Sequence, residues 1–419
     1  MKKKLVLATA LTLATVSSFS ACSSNVAFAL PTYADDKEIT IGIWNGSRHD
    51  LNDLDLYNLQ QAGINLLVGA DPTKMSQREL VERSAEFDIN VILDGREGKW
   101  NGETPDFVDM ENFWGFSLYD EPFMGHLNSL QSAKERYDEK LPGKMFFVNM
   151  LPSSGSETDY YSYLKTFVDG LDLEMCSYDN YSLMLDEETD EIYIRDTYLF
   201  DFDVASHVAK EAGVPMWYTL LTSGHLRYTD PTTTELEWQM YLAMTYGAQA
   251  LIHYVYATHD PDYVYPIVNY LTGEVTEKYY RVQEANGTIR SWDHIYLNFD
   301  WLGTSNVEGS NGGTGLLDWT IYNEAIDTYG EIVSAEATED VIVGHFKDGN
   351  DNAGFMVTNI TNPVENKTTE VSVKLASKYK GAIVIHEGNE EIVALKKNKL
   401  NLEIEAGSAM FVIPLEEKK

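Results

Sequence analysis

Two hydrophobic rhythms divide the chain. From Glu38, short β-branched or aromatic runs alternate with stretches of helical periodicity, the pattern of parallel βα architecture. The first predicted strand is ITIGIWN (39–45), with a helix near Leu51–Ala62. INLLVG (64–69) precedes a helix over Gln77–Phe87, and INVILDG (89–95) a short irregular or helical segment around Phe107–Phe113. WGFSLYDEP (114–122) is the fourth strand, followed by the helix Leu127–Glu139, and KMFFVNMLP (144–152) the fifth, followed by Tyr160–Leu171. LEMCSYDNY (173–181) precedes a polar insertion and the helix Val204–Ala212. VPMWYTLLTSGH (214–225) precedes Thr232–Tyr246, and ALIHYVYAT (250–258) a helix from Glu277 to Tyr296.

The strands are nearly continuous apolar runs, as strands buried on both faces must be. Eight such units predict an α/β fold, a (β/α)8 TIM barrel over 38–300. A doubly wound sheet seldom runs eight uninterrupted units, and no G-x-G-x-x-G follows the first strand. Asp230-Pro231 and the Thr232/Glu235 pair mark a helix start with a capping box.

The rhythm then changes. GTSNVEGSNGGTG (303–315) predicts a loop, and 301–330 reads as a linker. Period-two runs follow: EIVSAEA, DVIVGHF, AGFMVTNI, TEVSVKL, AIVIHEG and AMFVIP. They predict a C-terminal antiparallel β-sandwich over 331–419, with KDGNDN (347–352) as a hairpin turn rather than a calcium loop, since it lacks spaced ligands and a closing Glu.

The N-terminus has its own pattern. Lys2–Lys4, the apolar run Leu5–Val16 and the ending Phe19-Ser20-Ala21-Cys22 form the three parts of a secretory signal. The Ser-Ala-Cys ending resembles a bacterial lipobox over 1–22, with Cys22 as the lipidated residue and 23–37 as a linker. Cleavage after Ala27-Phe28-Ala29 is the competing outcome and releases the chain. Export is expected either way, with membrane contact only through the lipid anchor. Cys176, the other cysteine, reads as a small buried hydrophobe.

A formal net charge of -35 argues against nucleic acid as a partner, because phosphate binding needs a clustered basic surface. The aromatic content of 12%, with 26 Tyr and 8 Trp, suits stacking on sugar faces as well as core packing. Nine histidines lack an H-x-H or H-E-x-x-H spacing, so no catalytic metal is expected, and no cofactor motif is present.

In such a barrel, reactive side chains stand at the C-terminal ends of the strands. These ends offer Trp44, Asn45, Asp94, Asp120, Glu121, Asn149, Tyr178, Asp179, Tyr181, His225, Tyr254, Tyr256 and His259. The sharpest feature is Tyr119-Asp120-Glu121-Pro122. Two crowded anions raise one pKa, giving a proton donor beside an ionised neighbour, the division of labour that glycosidic cleavage needs. Trp44, Trp217, Tyr178, Tyr181 and Tyr254 are candidate sugar platforms, and Asn149 and His225 candidate hydroxyl partners. Glu235 and Glu237 read as structural, one in a capping box and one inside a helix.

WGFSLYDEP, YDNY, ELEWQMYLAMTYGAQALIHYVYA and LTGEVTEKYYRVQEANGTI resemble (β/α)8-barrel glycoside hydrolases and the glycoside-hydrolase-like lipoproteins of gut bacteria, over about residues 40–300. The resemblance implies a carbohydrate substrate and Glu121 as acid/base. Retaining members usually keep a nucleophilic Glu at the end of the seventh strand, and MWYTLLTSGH has none. Three courses are then open: catalysis assisted by a 2-acetamido sugar, with Asp120 orienting the acetamido group; Asp179 as nucleophile or base; or a surface protein that binds sugar without cleaving it.

Overall fold

The computed structural model describes residue 28 and residues 30–418, apart from Ser47, His49, 154–156 and Tyr265, with the side chains of 157 and 158 also left aside. Cys22 and the rest of the expected signal lie outside the described residues.

Among the described residues, eight parallel strands form the first sheet. They are β1 (Thr40–Trp44), β2 (Leu66–Ala70), β3 (Asn90–Asp94), β4 (Phe113–Asp120), β5 (Met145–Asn149), β6 (Cys176–Asp179), β7 (Met216–Leu221) and β8 (Ala248–Tyr254). The spatial order β5-β4-β3-β2-β1-β8-β7-β6 closes through a parallel bridge between Met150 and Tyr178. This is a (β/α)8 barrel. The outer helices are α1 (Asp53–Gln61), α2 (Gln77–Ala85), α3 (Leu127–Lys140), α4 (Glu157–Gly170), α5 (Tyr198–Ala212), α6 (Thr233–Thr245) and α7 (Glu277–Arg290), followed by the short α8 (Asp293–Tyr296). The segment after β3 carries only a 3-10 turn at Arg96–Gly98.

The helices start where their caps allow. Asn52 accepts from the backbone N–H groups of Leu54 and Asp55, and Thr232 and Glu235 form the reciprocal box expected at the head of α6. α5 ends on Gly213 at φ 69°, a left-handed cap that costs a residue without Cβ little.

Strand parity fills the barrel. Trp217, Met175, Ala250, Ile252, Phe147, Ile92, Val68 and Trp44 pack together inside the ring. Alternate residues such as Leu93, Val148, Tyr178, Tyr218 and Leu251 join the larger core beneath the helices.

The C-terminal unit is a sandwich of a six-stranded and a three-stranded antiparallel sheet. Its strands are β9 (Phe299–Val307), β10 (Ile332–Ala337), β11 (Val341–Asp348), β12 (Ala353–Asn359), β13 (Thr369–Leu375), β14 (Tyr379–His386), β15 (Asn389–Ala394), β16 (Lys399–Ile404) and β17 (Ala409–Glu416). Asp348 receives the N–H groups of Asn350 and Asn352, so KDGNDN is the hairpin turn between β11 and β12.

Two expected boundaries shift. The linker at 301–330 is in part strand, because β9 pairs along β11 from Phe299 to Val307. The 23–37 linker, as far as it is described, docks on the sandwich: Phe28 pairs with Glu417, and the Tyr33 ring lies 5.3 Å from that of Phe299. In both places apolar side chains hold onto a neighbouring sheet.

Barrel and sandwich share one continuous core. Ile342, Phe346, Met356 and Phe411 belong to the same cluster as the barrel helices. Polar contacts cross the seam where Trp238 Nε1 donates to the Asn359 carbonyl at 3.1 Å and Thr245 Oγ1 meets Thr358 Oγ1 at 2.6 Å.

Candidate active site

The C-terminal ends of the strands carry a polar layer above the apolar interior. Asp94, Asp120, Asn149 and Asp179 each close their strand on the inward parity. For Asp120 this depends on an irregularity. Ser117 pairs with Phe147, whereas Tyr119 pairs with Val148 and Asp120 with Asn149, so one extra residue, Leu118, is inserted into β4. Such a bulge reverses the parity of every residue beyond it in the strand. Without it, Tyr119 would face inward and Asp120 the helices.

Glu121 comes next at φ 53°, a left-handed conformation uncommon for a residue with a Cβ. Its N–H donates to the Asn149 carbonyl at 2.8 Å, and the next carbonyl, that of Pro122, accepts from Tyr163 Oη at 2.8 Å. Held at both sides, the residue turns back over the mouth. There its carboxyl neighbours that of Asp179 closely enough for each to shift the other's proton affinity.

Asn149 ties the acids together. Its amide nitrogen donates to Asp179 Oδ1 at 2.9 Å and to Asp120 Oδ1 at 3.3 Å, while its oxygen accepts from Ser177 Oγ at 3.1 Å. On the other side, Arg96 reaches Asp120 Oδ2 with a terminal nitrogen at 3.3 Å and grips Asp94 with Nε at 2.8 Å. Lys99 Nζ adds 2.7 Å to Asp94. The guanidinium lies over the Trp44 ring, 5.4 Å from its centroid.

These surroundings set the proton affinities. Burial pushes Asp179 well above the ordinary carboxylate range, and the neighbouring Glu121 and Asp120 push it further. Glu121 is raised by its enclosure and by the Asp120 charge. Burial also raises Asp120, against the pull of Arg96 and the Asn149 hydrogen bond. The Arg96 and Lys99 hydrogen bonds outweigh burial at Asp94 and hold it below its ordinary value. Glu121 and Asp179 thus both hold a proton more tightly than free carboxyls do, while the cation beside Asp120 favours its ionised form.

An aromatic wall occupies the opposite side of the mouth. Tyr181 stacks on Tyr254 with centroids 5.8 Å apart and meets Tyr228 at 5.3 Å and His225 at 5.4 Å. His225 stacks flat on Tyr263 at 4.6 Å, and the Tyr254 and Tyr263 hydroxyls are 3.0 Å apart. Burial lowers the His225 pKa, which leaves a neutral ring able to hydrogen-bond hydroxyl groups.

Asp120, Glu121, Asp179, Asn149, Tyr181, His225 and Tyr254 therefore gather at one end of the barrel. Two platform candidates are corrected. Tyr178 alternates with the inward Asp179, so its ring is fully buried on the outer side against Phe202 and Tyr218. Trp217 sits near the start of β7, two residues before the Thr219 that pairs with Asp179, and packs against Trp114 and Phe147 deep in the barrel. Trp44 reaches the polar layer but lies beneath Arg96, 4% exposed. Arg96, Lys99, Tyr228 and Tyr263 are additions, the first two as partners of Asp94, which already stood among the strand-end acids. The two tyrosines lie beyond the ends of the barrel strands, where no periodicity orders the chain. At the end of β7, Thr222 bonds His253 Nδ1 at 2.8 Å and Ser223 the Val255 carbonyl at 3.3 Å, so no carboxylate stands there. Among the described residues, no group of three or more His, Cys, Asp or Glu side chains is arranged to hold a metal ion.

No family model matches the chain, and no curated protein matches it. Solved structures do. Alpha-L-fucosidase isoenzyme 2 from Paenibacillus thiaminolyticus is similar with a TM-score of 0.57 at 7% identity, over 91% of this chain and 100% of that one. A structure described as a glycoside hydrolase is similar with a TM-score of 0.53 at 10% identity, over 91% and 93% of the two chains. At such identities the likeness is one of fold: this chain shares its overall architecture with these two structures.

Proposed function

We propose that the protein is a glycoside hydrolase acting on an oligo- or polysaccharide, with Glu121 as the acid/base. The observation that carries this is the gathering of three carboxyls at the C-terminal end of the barrel, with Asn149 bonded to both Asp179 and Asp120 and Arg96 partnering Asp120. Protonated Glu121 gives its proton to the glycosidic oxygen as the C1–O bond breaks and the bonding pair leaves with that oxygen. The positive charge left at C1 is met by a carboxylate. Glu121 then takes a proton from the water that attacks C1.

Asp120 suits the role of that carboxylate better than Asp179. Asp179 is 5% exposed and bonded by Asn149, whereas a direct nucleophile must stand open to the sugar, about 5–5.5 Å from its acid partner. This favours the substrate-assisted course. Asp120 accepts the N–H of a 2-acetamido group, and the acetamido oxygen forms the bond to C1 that the leaving group gives up. Burial and the Asp120 charge are what keep Glu121 protonated.

Hydrolysis of activated aryl glycosides, paired with and without a 2-acetamido group, tests the reading. Glu121→Gln is expected to lower turnover by about 10²–10⁴-fold with ligand affinity nearly intact. Full turnover in that variant removes Glu121 from the mechanism. Thermal stabilisation by sugars, with no product from the wild type, identifies a sugar-binding protein instead. Export and lipidation at Cys22 are proposed on the leader pattern alone, and Cys22→Ser, which should abolish incorporation of labelled fatty acid, tests the anchor.

A further inference from the structure

A cavity of about 450 Å³ opens between the loop that follows β3 and the end of β4, lined by Arg96, Glu97, Lys99, Leu118, Tyr119 and Asp120 among others. Its volume falls within the roughly 300–1,000 Å³ of ligand pockets. It lies on the side of Asp120 that Arg96 faces, while Asn149 joins Asp120 to the other two acids. Cavity and reaction centre thus share one carboxylate as a common wall.

The walls have two characters. On one side stand cations whose charge is already spent. Arg96 places three of its five N–H donors on Asp94 and Asp120, and Lys99 places two of its three on Asp94 and Asp71. Donors remain, but with these carboxylates and Glu97 alongside there is no net positive charge to hold an anion. On the other side are Leu118 and Tyr119. The Tyr119 hydroxyl meets His126 Nε2 at 3.1 Å, and His126 Nδ1 accepts the Phe123 N–H at 3.0 Å. The two rings lie with centroids 4.8 Å apart, which fixes the tyrosine before anything binds. A fixed aromatic and aliphatic surface facing hydrogen-bond donors and acceptors matches a pyranose ring, apolar on its C–H face and hydroxylated at its edge.

We infer that this cavity is a sugar subsite adjoining the reaction centre and that it takes an uncharged sugar unit, so the substrate is a neutral oligosaccharide with at least two units spanning the shared Asp120 wall. The inference rests on the glycoside hydrolase reading for what happens to that substrate, not for its binding.

The test compares chain lengths by calorimetry in the Glu121→Gln protein. The probes are gluco-, manno-, galacto-, xylo- and N-acetylglucosamine oligosaccharides of one to three units. In at least one series, the two-unit sugar should bind roughly tenfold tighter than the one-unit sugar. That ratio should collapse towards one in Tyr119→Ala, which removes the wall, and in Leu118→Trp, which fills the space. A folded state is verified for each variant by its thermal transition, and either variant suffices. An advantage that survives in a folded variant, or no two-unit advantage in any series, overturns the subsite. The readings fail separately: chain-length-dependent binding without wild-type turnover removes the hydrolase, and turnover indifferent to chain length removes the subsite.

Discussion

At the scale of single residues, the mouth works by giving three nearby carboxyls unequal surroundings. Asp179 is 5% exposed and feels the charge of a second acid, Glu121, while Asp120 has a guanidinium at 3.3 Å. Arg96 is therefore the group that separates their charges. Arg96→Met keeps an apolar chain of similar reach and removes the charge, together with the guanidinium over Trp44. The Asp120 pKa, already raised by burial, should rise further, and the enzyme should need a higher pH to ionise it. The acidic limb of the kcat/KM profile is then expected to move up by roughly one pH unit. An unmoved limb would mean that Arg96 serves only to anchor Asp94. Much of this site was legible, because the barrel rule directs attention to strand ends, and Asp94, Asp120, Asn149 and Asp179 all stand there. The tyrosines show where that rule needs a second one. Strand parity allows only one of Tyr178 and Asp179 to face inward, so choosing the acid already excluded its neighbour as a platform.

Elements decide which way those residues face, and here the sequence is less explicit. The bulge at Leu118 leaves no compositional trace, yet it aims Asp120 into the mouth. The helix α6 holds the end of β7 by a comparable device. Leu221 lies past the end of β6, where no strand is left to bond it. The buried Gln239 of α6 fills the gap: its Oε1 accepts the Leu221 N–H at 3.0 Å, and its Nε2 donates to the Leu221 carbonyl at 3.1 Å. Gln239→Leu keeps the volume and leaves both backbone groups buried without that partner. It should cost about 2–4 kcal/mol, read as a lower urea midpoint with unchanged slope. Loss of turnover at full stability would instead point to a direct role in catalysis. The polar Gln inside an otherwise apolar helix was visible in ELEWQMYLAMTY, but what it bonds depends on where β6 stops.

For the whole molecule, the shared core makes barrel and sandwich one mechanical unit, and it buries acids that composition alone suggests are solvated. Burial raises Asp201 to about 7, Glu237 to about 7 and Asp203 to about 6, and lowers His253 to about 4. The signs oppose one another. Each raised carboxyl binds its proton more tightly folded than unfolded, so its contribution is complete below about pH 4 and is lost as pH rises towards 6–7. His253 contributes above about pH 6.5 and loses that contribution as pH falls towards 4. Three carboxyls outweigh one imidazole, so the urea midpoint should be higher at pH 5 than at pH 8. Asp201 isolates the effect, being fully buried on α5 with one oxygen bonded to the Ser153 N–H at 3.2 Å and the other without a hydrogen-bond partner among the described residues. With its pKa raised from 3.8 to about 7, the part of the shift above pH 5 corresponds to roughly 3 kcal/mol lost by pH 8. Asp201→Asn keeps the shape and removes the ionisation, so the fall in stability from pH 5 to pH 8 should shrink by about that amount. If the variant loses stability as steeply as the parent does, the acid strain resides elsewhere, and Glu237 and Asp203 are the groups to exchange next.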